Sequence, residues 1–327
     1  MKIAVLDDYQ GVALKMAEWS VLPAGIQVTV FRDHLRSADA VTNRLRDFEI
    51  VAAMRERTPF GRELLEHLPN LQLLVTTGMR NASIDLDAAT KLGIVVCGTQ
   101  GSSNTTAELA WGLILALLRQ IPQEDRAIRR GHWQTTVGTA LQDKVLGILG
   151  LGRLGSRMAT IGIAFGMSVI SWSQNLTPER AAQFGAVLET KDELFANSDI
   201  VSIHLQLSDR TRGLVGAHEL SLIKPTAYLI NTSRGPIVDE TALIQALKDR
   251  TIAGAGIDVF DQEPLPSEHQ FKRLENIIMT PHLGYVTEET YQVYYTETIE
   301  DITAYLHGHP VRVLNPSVLE THSVRRR

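Results

Sequence analysis

Short apolar runs alternate with longer stretches of helical spacing from the first residue of the chain onward. In the N-terminal part, these runs are rich in Val, Ile and Leu and are flanked by Gly, Pro, Asp or Asn, which is typical of buried strands. The predicted strands are residues 3–6, 28–31, 50–53, 71–75 and 94–97. Segments such as 62–67 and 85–92 predict helices between them, the latter with Gly93 at its C-cap. Strands that alternate with helices predict a parallel sheet covered on both faces.

A second series of predicted strands follows, again with helical segments between its members. These strands are residues 144–149, 168–172, 200–205, 228–231, 257–260 and 277–280. Between the two series lies an apolar helix over residues 105–119, with Asn104 as the predicted N-cap, and a last helix covers 288–306. The pattern predicts an α/β protein of two parallel-sheet domains with a cleft between them, which is the default ligand site.

Composition and charge exclude several classes of protein. Hydrophobic residues make up 44% and charged residues 21% of the 327 residues, and the formal net charge is −5, which argues against a disordered chain. The only basic run, residues 325–327, is interpreted as a solvated chain end, so no nucleic-acid partner is expected. The longest apolar run, 109–118, is shorter than the ~18 residues of a membrane span. Asp7 and Asp8 interrupt any signal peptide, and Cys97, the single cysteine, is expected to be a buried apolar residue. A cytoplasmic protein without a membrane partner is expected.

A glycine-rich motif, GLGRLG at residues 150–155, follows one predicted strand and precedes a predicted helix. In this context Gly150 permits a tight turn, Gly152 lets the backbone approach a pyrophosphate, and Gly155 allows close packing of helix and sheet. The helix N-terminus supplies amides and the positive end of a dipole, so Arg153 and Leu154 are counted with the cofactor site. The alternative is a structural turn that binds no ligand.

The strand after this motif lacks the acidic residue that would bind the ribose of NAD. Ser173 stands near that position, so nothing there repels the 2′-phosphate of NADP. Arg153 or Arg180 could approach such a phosphate. The sequence therefore favours NADP, with use of both cofactors expected.

Three charged side chains follow three predicted strands of the second series. Arg234 lies in NTSRGPIVD (231–239), Glu263 in AGIDVFDQEPLP (255–266) and His282 in TPHLG (280–284). The carboxyl ends of parallel strands share one edge of a sheet, where ligands bind, so these residues can converge. Taken singly, each has a simpler interpretation: a surface ion pair, a loop charge and a hydrogen-bonded histidine at a strand end.

Together with GLGRLG, these segments resemble those of the D-isomer-specific 2-hydroxyacid dehydrogenases, which include phosphoglycerate dehydrogenase, D-lactate dehydrogenase and glyoxylate/hydroxypyruvate reductases. The resemblance covers about residues 71–316. It implies an α/β fold of two doubly wound parallel-sheet domains with a cleft between them. The expected flavodoxin-like substrate domain is residues 1–101 and 289–327, and the expected Rossmann dinucleotide-binding domain is residues 102–288.

The roles that the resemblance implies agree with the chemistry of the side chains. Arg234 would hold the substrate carboxylate and polarise the carbonyl, and His282 would transfer the proton. Glu263 would orient the imidazole and favour its protonated form. The presence of Glu263 argues against formate as substrate, because formate dehydrogenases of this superfamily carry Gln there. Arg234, Glu263 and His282 are thus the predicted catalytic residues, and no metal site is predicted.

The resemblance also implies further binding residues. Asp258 would lie by the nicotinamide carboxamide, and Thr232 and Thr105 would also contact the cofactor. The alternative for Thr105 is that it only belongs to the first turn of its helix. Gly78 and Met79 would bind the substrate carboxylate through backbone amides. Arg55 either faces the substrate or is a solvated charge. A homodimer through residues 105–119 is implied as well, although the same apolar stripe could be core between the domains.

The predicted activity is NAD(P)-dependent interconversion of a small 2-keto acid and its D-2-hydroxy acid. Two alternatives remain open. One is a dinucleotide-sensing binding protein, similar to corepressors of this fold that keep the same Arg, Glu and His. The other is a dehydrogenase of another small anion such as phosphite, for which Arg55 or Arg80 would face the pocket. Many relatives have Pro after the strand where this chain has residues 204–206 (HLQ), so the shape of this loop is an open point.

Overall fold

The computed structural model describes residues 1–101 and 104–320, which form two compact units. The first unit holds residues 1–101 and 287–320, and the second holds residues 104–286. The basic residues 325–327, predicted to be a solvated end, lie outside the described residues. Within the described part of the chain, no helix is both long and apolar enough to cross a membrane.

The first unit is built around a parallel sheet whose strand order is β2-β1-β3-β4-β5. Its strands are β1 (Lys2–Val5), β2 (Gln27–Val30), β3 (Ile50–Ala53), β4 (Leu73–Thr76) and β5 (Val95–Gly98). The order 2-1-3-4-5 is that of flavodoxin-like folds. Its helices in the first hundred residues are α1 (Ala13–Met16), α2 (Ala38–Leu45), α3 (Arg62–Glu66) and α4 (Leu86–Lys91), with a 3-10 turn at Trp19–Val21. Apolar side chains of the strands are buried beneath these helices and form the core.

The second unit contains a seven-stranded parallel sheet with the order β12-β11-β10-β9-β6-β7-β8. Its strands are β6 (Val145–Leu149), β7 (Ser168–Trp172), β8 (Ala186–Leu188), β9 (Ile200–Ile203), β10 (Tyr228–Asn231), β11 (Gly254–Ile257) and β12 (Ile277–Met279). Counted from β6, this is the order 3-2-1-4-5-6 of the Rossmann fold with one further strand. Together with the first sheet, it confirms the predicted α/β class with two doubly wound parallel-sheet domains.

Helices cover both faces of this second sheet. They are α5 (Thr105–Leu118), α6 (Ile121–Arg129), α7 (Arg153–Ala164), α8 (Pro178–Ala182), α9 (Lys191–Asn197), α10 (Ala217–Leu222) and α11 (Glu240–Lys248), with 3-10 turns at Gly235–Ile237 and Gln270–Arg273. Helix α5 packs closely on β11, because a Cβ atom at Gly256 would lie only 3.1 Å from the Cβ of Leu113. Asn104 takes the N-cap position of α5, as predicted, although its side chain makes no capping hydrogen bond.

Helix α12 (Glu288–Leu306) returns the chain to the first unit and has the predicted bounds. After it, the chain runs antiparallel to β5, where the Gly98 amide donates to the Arg312 carbonyl and the Leu314 amide donates to the Val96 carbonyl. A last 3-10 turn covers Pro316–Leu319. Cys97 in β5 is fully buried, as predicted, and burial raises the pKa of its thiol to about 12.

The apolar face of α5 is buried within its own unit rather than exposed. Eight residues of this helix are buried, Trp111 and Ile114 among them. The stripe that the sequence offered either as a dimer surface or as core between the domains is therefore mostly core of the second unit, and the homodimer stays a prediction. Several exposed apolar side chains follow α5 along the chain: Ile128, Trp133 and Val137 are 55%, 76% and 98% exposed.

Candidate active site

Three neighbouring strands of the second sheet place the predicted catalytic residues at one edge. Strands β10, β11 and β12 are adjacent and parallel, with Asn231 paired with Ile257 and Ile257 paired with Met279. Arg234 follows β10, Glu263 follows β11 and His282 follows β12. The common strand direction therefore brings these loops to the same end of the sheet.

His282 and Glu263 form a close pair. Nδ1 of His282 lies 2.6 Å from Oε2 of Glu263, and the two side chains are 22% and 32% exposed. The backbone of His282 is in the left-handed region, at a φ of 56°, and its amide donates to the Asp258 carbonyl at 2.8 Å. Because Nδ1 is bonded to the carboxylate, Nε2 is the ring nitrogen able to exchange a proton with a ligand.

Several contacts set the charge state of Glu263. Partial burial raises its pKa, but the hydrogen bond with His282, the amide of Phe260 and the positive charge of Arg234 outweigh burial and leave the pKa below its ordinary value. The Phe260 amide donates to Oε1 at 2.9 Å. Glu263 is therefore ionised at neutral pH, and its carboxylate is bonded to Nδ1 of His282.

The Arg234 loop is fixed by Asn231, a residue not singled out from the sequence. The side-chain amide of Asn231 donates to the Arg234 carbonyl at 3.0 Å, and its oxygen accepts from the Ser233 amide at 3.0 Å. A Cβ atom at Gly235 would lie 2.1 Å from the Phe260 carbonyl carbon, so this loop packs directly on the one that carries Glu263. The signal for Asn231 is its place directly before the loop, since Asn commonly bonds to backbone two residues on.

Asp258 is fully buried and holds the His282 loop. Its carboxylate accepts hydrogen bonds from the Thr280 hydroxyl at 2.6 Å, the Leu283 amide at 2.7 Å and the Gly284 amide at 2.9 Å. Burial raises the pKa of Asp258, and these bonds together with the charge of His282 oppose the rise. The Asp258 carboxylate thus fixes the backbone of the loop that carries His282, a role that the resemblance did not suggest.

The glycine-rich turn has the geometry that close backbone approach requires. Gly150 has a φ of 96°, and a Cβ atom there would lie 2.8 Å from the His204 carbonyl oxygen. A Cβ atom at Gly155 would lie 2.0 Å from the Gly150 carbonyl oxygen. At Gly152, by contrast, the Cβ position has no atom of the described residues within 4 Å. Open space beside this glycine fits the approach of a pyrophosphate.

The first turn of α7 supplies the amides of the site. The first hydrogen bond of this helix runs from the Ser156 amide to the Gly152 carbonyl, so the amides of residues 153–155 precede it and are oriented as at an anion site. The Arg153 side chain is exposed, whereas that of Leu154 packs against the core. Leu154 can therefore contribute only its backbone to a ligand.

Two further cofactor candidates follow other strands of the same sheet. Thr232 is 6% exposed, and its hydroxyl has no hydrogen-bond partner among the described residues. A buried hydroxyl of this kind fits a ligand that completes its hydrogen bonding. Ser173 directly follows β7 and is partly exposed. The Arg180 guanidinium donates a hydrogen bond to the side chain of Gln183 at 2.7 Å. Arg153 is therefore the remaining candidate for binding a 2′-phosphate.

His204, which follows β9, is not a second proton donor. Its Nε2 lies 2.8 Å from the Ser202 hydroxyl, and burial lowers the pKa of its ring to about 4. The ring is therefore neutral at physiological pH.

In the first unit, Arg55 lies directly over Gly78. Nη1 of Arg55 donates to the Thr77 carbonyl at 3.1 Å and occupies the place of a Cβ atom at Gly78, where φ is 95°. The Gly78 amide donates to the Thr99 hydroxyl at 3.0 Å, so this amide is engaged within the unit. Of the two loop amides expected to bind substrate, that of Met79 is the better candidate, and the Arg55 guanidinium adds a positive charge beside it.

Thr105 makes a contact that the sequence did not suggest. Its hydroxyl donates to the Gly284 carbonyl at 2.8 Å, and the Thr106 hydroxyl donates to the same oxygen at 2.9 Å. Thr106 carries no motif that would single it out. Only the folded chain brings residues separated by nearly 180 positions together.

Comparison with known proteins gives consistent matches. Residues 111–284 match the family model of the NAD binding domain of D-isomer specific 2-hydroxyacid dehydrogenases. A glyoxylate reductase of Aeropyrum pernix is 39% identical over 269 residues, which cover 79% of this chain and 80% of the relative. A D-3-phosphoglycerate dehydrogenase of Synechocystis sp. is 36% identical over 276 residues, 82% of this chain and 50% of the relative. A solved oxidoreductase structure of Ralstonia solanacearum superposes with a TM-score of 0.92 at 38% identity, covering 99% of each chain. These matches confirm the resemblance drawn from the sequence motifs.

Proposed function

Because the chain belongs to the D-isomer specific 2-hydroxyacid dehydrogenase family, we propose that it catalyses the NAD(P)-dependent interconversion of a small 2-keto acid and its D-2-hydroxy acid. The observation that carries this proposal is the His282–Glu263 pair at 2.6 Å, at the end of the sheet where Arg234 also lies. An ionised carboxylate bonded to Nδ1 leaves Nε2 as the ring nitrogen for proton transfer, and reduction of a carbonyl consumes one proton.

The proposed roles follow from the positions of the side chains. When bound, the nicotinamide supplies the hydride that adds to the carbonyl carbon. Nε2 of His282 donates the proton to the carbonyl oxygen, and Glu263 stabilises the imidazolium and sets the direction of its ring. The guanidinium of Arg234 binds the substrate carboxylate and polarises the carbonyl. In the oxidation of the hydroxy acid, the same imidazole accepts the proton.

The substrate is proposed to be a short 2-keto acid reduced to its D-hydroxy acid. Glyoxylate and hydroxypyruvate are the first candidates, and the name of the Aeropyrum pernix relative supports the former. In the first unit, the Met79 amide and the Arg55 guanidinium are proposed to contact the anionic end of the substrate. Their positive character suits a carboxylate and would also suit a second anionic group.

The cofactor is proposed to be NADP in preference to NAD. The residues that would hold it are Gly150, Gly152 and Gly155 with the amides of residues 153–155, together with Thr232. Ser173 carries no charge that would repel a 2′-phosphate. The exposed Arg153 side chain lies at the first residue of α7, the helix whose N-terminal amides would hold the pyrophosphate. The uncharged Ser173 and the positive charge of Arg153 both favour the phosphorylated dinucleotide.

Turnover assays test this function directly. Consumption of NADPH and NADH would be followed in parallel with glyoxylate, hydroxypyruvate, pyruvate and longer 2-keto acids. Turnover with any of them, faster with NADPH, is the expected result. Tight dinucleotide binding without turnover on the whole panel would instead favour a dinucleotide sensor or the dehydrogenase of another anion, and phosphite would then be assayed.

We further propose that the protein is a homodimer, formed through residues 121–137 rather than through α5. In this segment helix α6 is followed by residues without regular secondary structure, and Ile121, Ile128, Trp133 and Val137 are more than half exposed. Large apolar side chains exposed so close together are typical of an interaction surface. A second copy of the chain is the proposed partner, as the family resemblance implies.

A further inference from the structure

The carbonyl oxygen of Gly284 receives two hydroxyl groups from one helix turn. Thr105 donates to it at 2.8 Å and Thr106 at 2.9 Å, which occupies both of its lone pairs. Gly284 is buried, and a Cβ atom there would lie 3.1 Å from both Cγ2 and Oγ1 of Thr106. The first turn of α5 is therefore in direct contact with the loop two residues after His282.

The amide groups of this loop are held as well. Asp258 accepts the amides of Leu283 and Gly284, and its carbonyl accepts the amide of His282. The peptide groups from His282 to Gly284 are thus fixed from two directions, by Asp258 on one and by the two threonines on the other. Because α5 packs tightly on β11, these hydroxyl groups are presented by a rigid element.

We propose that Thr105 and Thr106 are positioning residues for the catalytic imidazole. By holding the Gly284 carbonyl, they keep His282 in its left-handed conformation and its Nδ1 directed at Glu263. This inference rests on the proposed function, in which His282 transfers the proton. It assigns the Thr105 hydroxyl to the loop rather than to the cofactor.

A backbone conformation with positive φ is costly for a residue with a side chain and persists only where its neighbours fix it. Loss of the two hydroxyl groups would let residues 282–284 relax and move the imidazole away from its reacting position. Displacement of a reacting group by about 1 Å costs on the order of 10²-fold in rate. The expected consequence is a lower kcat with little change in substrate or dinucleotide affinity.

The test compares Thr105→Val, Thr106→Val and the double variant with the corresponding serine variants. Valine keeps the shape and removes the hydroxyl, whereas serine keeps the hydroxyl. Thr303→Val is the matched control, because the Thr303 hydroxyl in α12 has no hydrogen-bond partner among the described residues. The readouts are kcat, KM for the keto acid, Kd for NADPH by fluorescence, and the imidazole signals of labelled histidine by NMR, assigned with His282→Gln.

We expect kcat to fall several-fold in each valine variant and by about 10²-fold in the double variant. The Kd for NADPH should stay within about twofold, the His282 signal should broaden or shift, and the serine variants should restore both kcat and the signal. A double variant with wild-type kcat and an unchanged His282 signal would overturn the proposal. A weaker Kd with unchanged kcat would also overturn it, since Thr105 would then contact the cofactor.

The NMR arm does not depend on turnover. If the wild-type protein reduced none of the 2-keto acids, the proposed function would fail. The response of the His282 signal to the double variant would still show whether the threonines position this ring.

Discussion

At the scale of single residues, the orientation of His282 is set by contacts on several sides of its ring. Glu263 binds Nδ1, and the ring of Tyr285 lies edge-on, with centroids 5.6 Å apart and planes at 68°. Tyr285 is itself buried, so it limits the rotation of the imidazole. The ring position thus follows from its surroundings rather than from its own rotamer preference.

Replacement of His282 by Ala is expected to lower turnover by about 10²–10⁴-fold, since this residue supplies the proton. Binding of the dinucleotide should be unaffected, because His282 takes no part in the glycine-rich turn. Steady-state kinetics and a fluorescence titration with NADPH measure the two effects. Wild-type turnover in His282→Ala would remove this residue from the mechanism.

A second residue-scale feature is the buried carboxylate of Asp301 in α12. It is fully buried and accepts a hydrogen bond from Nε of Arg312 at 3.0 Å. Burial raises its pKa to about 7, although the charge of Arg312 opposes the rise. Between about pH 4 and 7 the folded state therefore binds a proton that the unfolded chain has released, so its contribution to stability decreases as the pH rises.

Asp301→Asn is accordingly expected to flatten the pH dependence of the free energy of unfolding. Between about pH 4 and 7, the slope of the free energy of unfolding against pH should become more positive than in the wild type, by up to about 1.4 kcal/mol per pH unit. Urea unfolding at several pH values measures the slope. Glu300→Gln is the control, because its side chain also contacts Arg312 but is 55% exposed. Equal slopes in the wild type and Asp301→Asn would show that Asp301 stays ionised.

The sequence identified the candidate residues that lie in motifs, but not the side chains that hold them. Arg234, Glu263 and His282 were predicted because each follows a strand in a recognisable segment. Thr106 and Asn231 were not, because their importance lies in partners brought close only by folding. The bond from the Gly78 amide to Thr99, which follows the next strand along the chain, could not be seen from the sequence either.

At the scale of elements, the turn between β6 and α7 separates structural from ligand-related glycines. Gly150 and Gly155 are required by the fold itself, since side chains there would collide with backbone. Gly152 is different, because its φ is −81° and its Cβ position is open. A glycine that the protein does not need for its own packing is well explained by a ligand.

Gly152→Ala should therefore leave the fold intact and weaken the binding of NADPH by at least about tenfold, because the new methyl group blocks close approach of the pyrophosphate. Gly112→Ala is the matched control, since its Cβ position on α5 is also open. That change should raise stability by about 0.5–1 kcal/mol and leave NADPH affinity unchanged. Thermal unfolding and fluorescence titration measure both. Unchanged affinity in Gly152→Ala would support the structural-turn interpretation.

Most elements could be predicted from the apolar pattern, and the exceptions have physical causes. The predicted strand 257–260 is wrong in its bounds, because β11 covers Gly254–Ile257 and is formed largely by small residues beneath α5. Strand β8 was missed, because three residues at a sheet edge give little periodicity. The stripe on α5 is buried in its own unit, and periodicity alone does not distinguish such burial from a subunit surface.

At the scale of the whole molecule, the exposed apolar segment after α5 decides the proposed assembly. Replacing Trp133 and Val137 together by Ser should shift the protein from dimer to monomer, because these side chains are 76% and 98% exposed in the single chain. Sedimentation velocity measures the change. Val187→Ser, at another exposed apolar position, is the control and should not alter the mass. A wild-type protein that sediments as a monomer would contradict the proposed dimer.

The chain that runs back along β5 has a consequence for the behaviour of the protein during synthesis and storage. Strand β5 is the edge strand of its sheet, and its apolar residues are buried. Without residues 312–315, it would present a row of unpaired amide and carbonyl groups. Such an open edge can recruit a strand from another molecule and start aggregation. Until this late segment has been made and has docked, the first unit is exposed to mispairing with other copies of itself. Solubility of the first unit thus depends on a stretch that contributes nothing to the proposed chemistry.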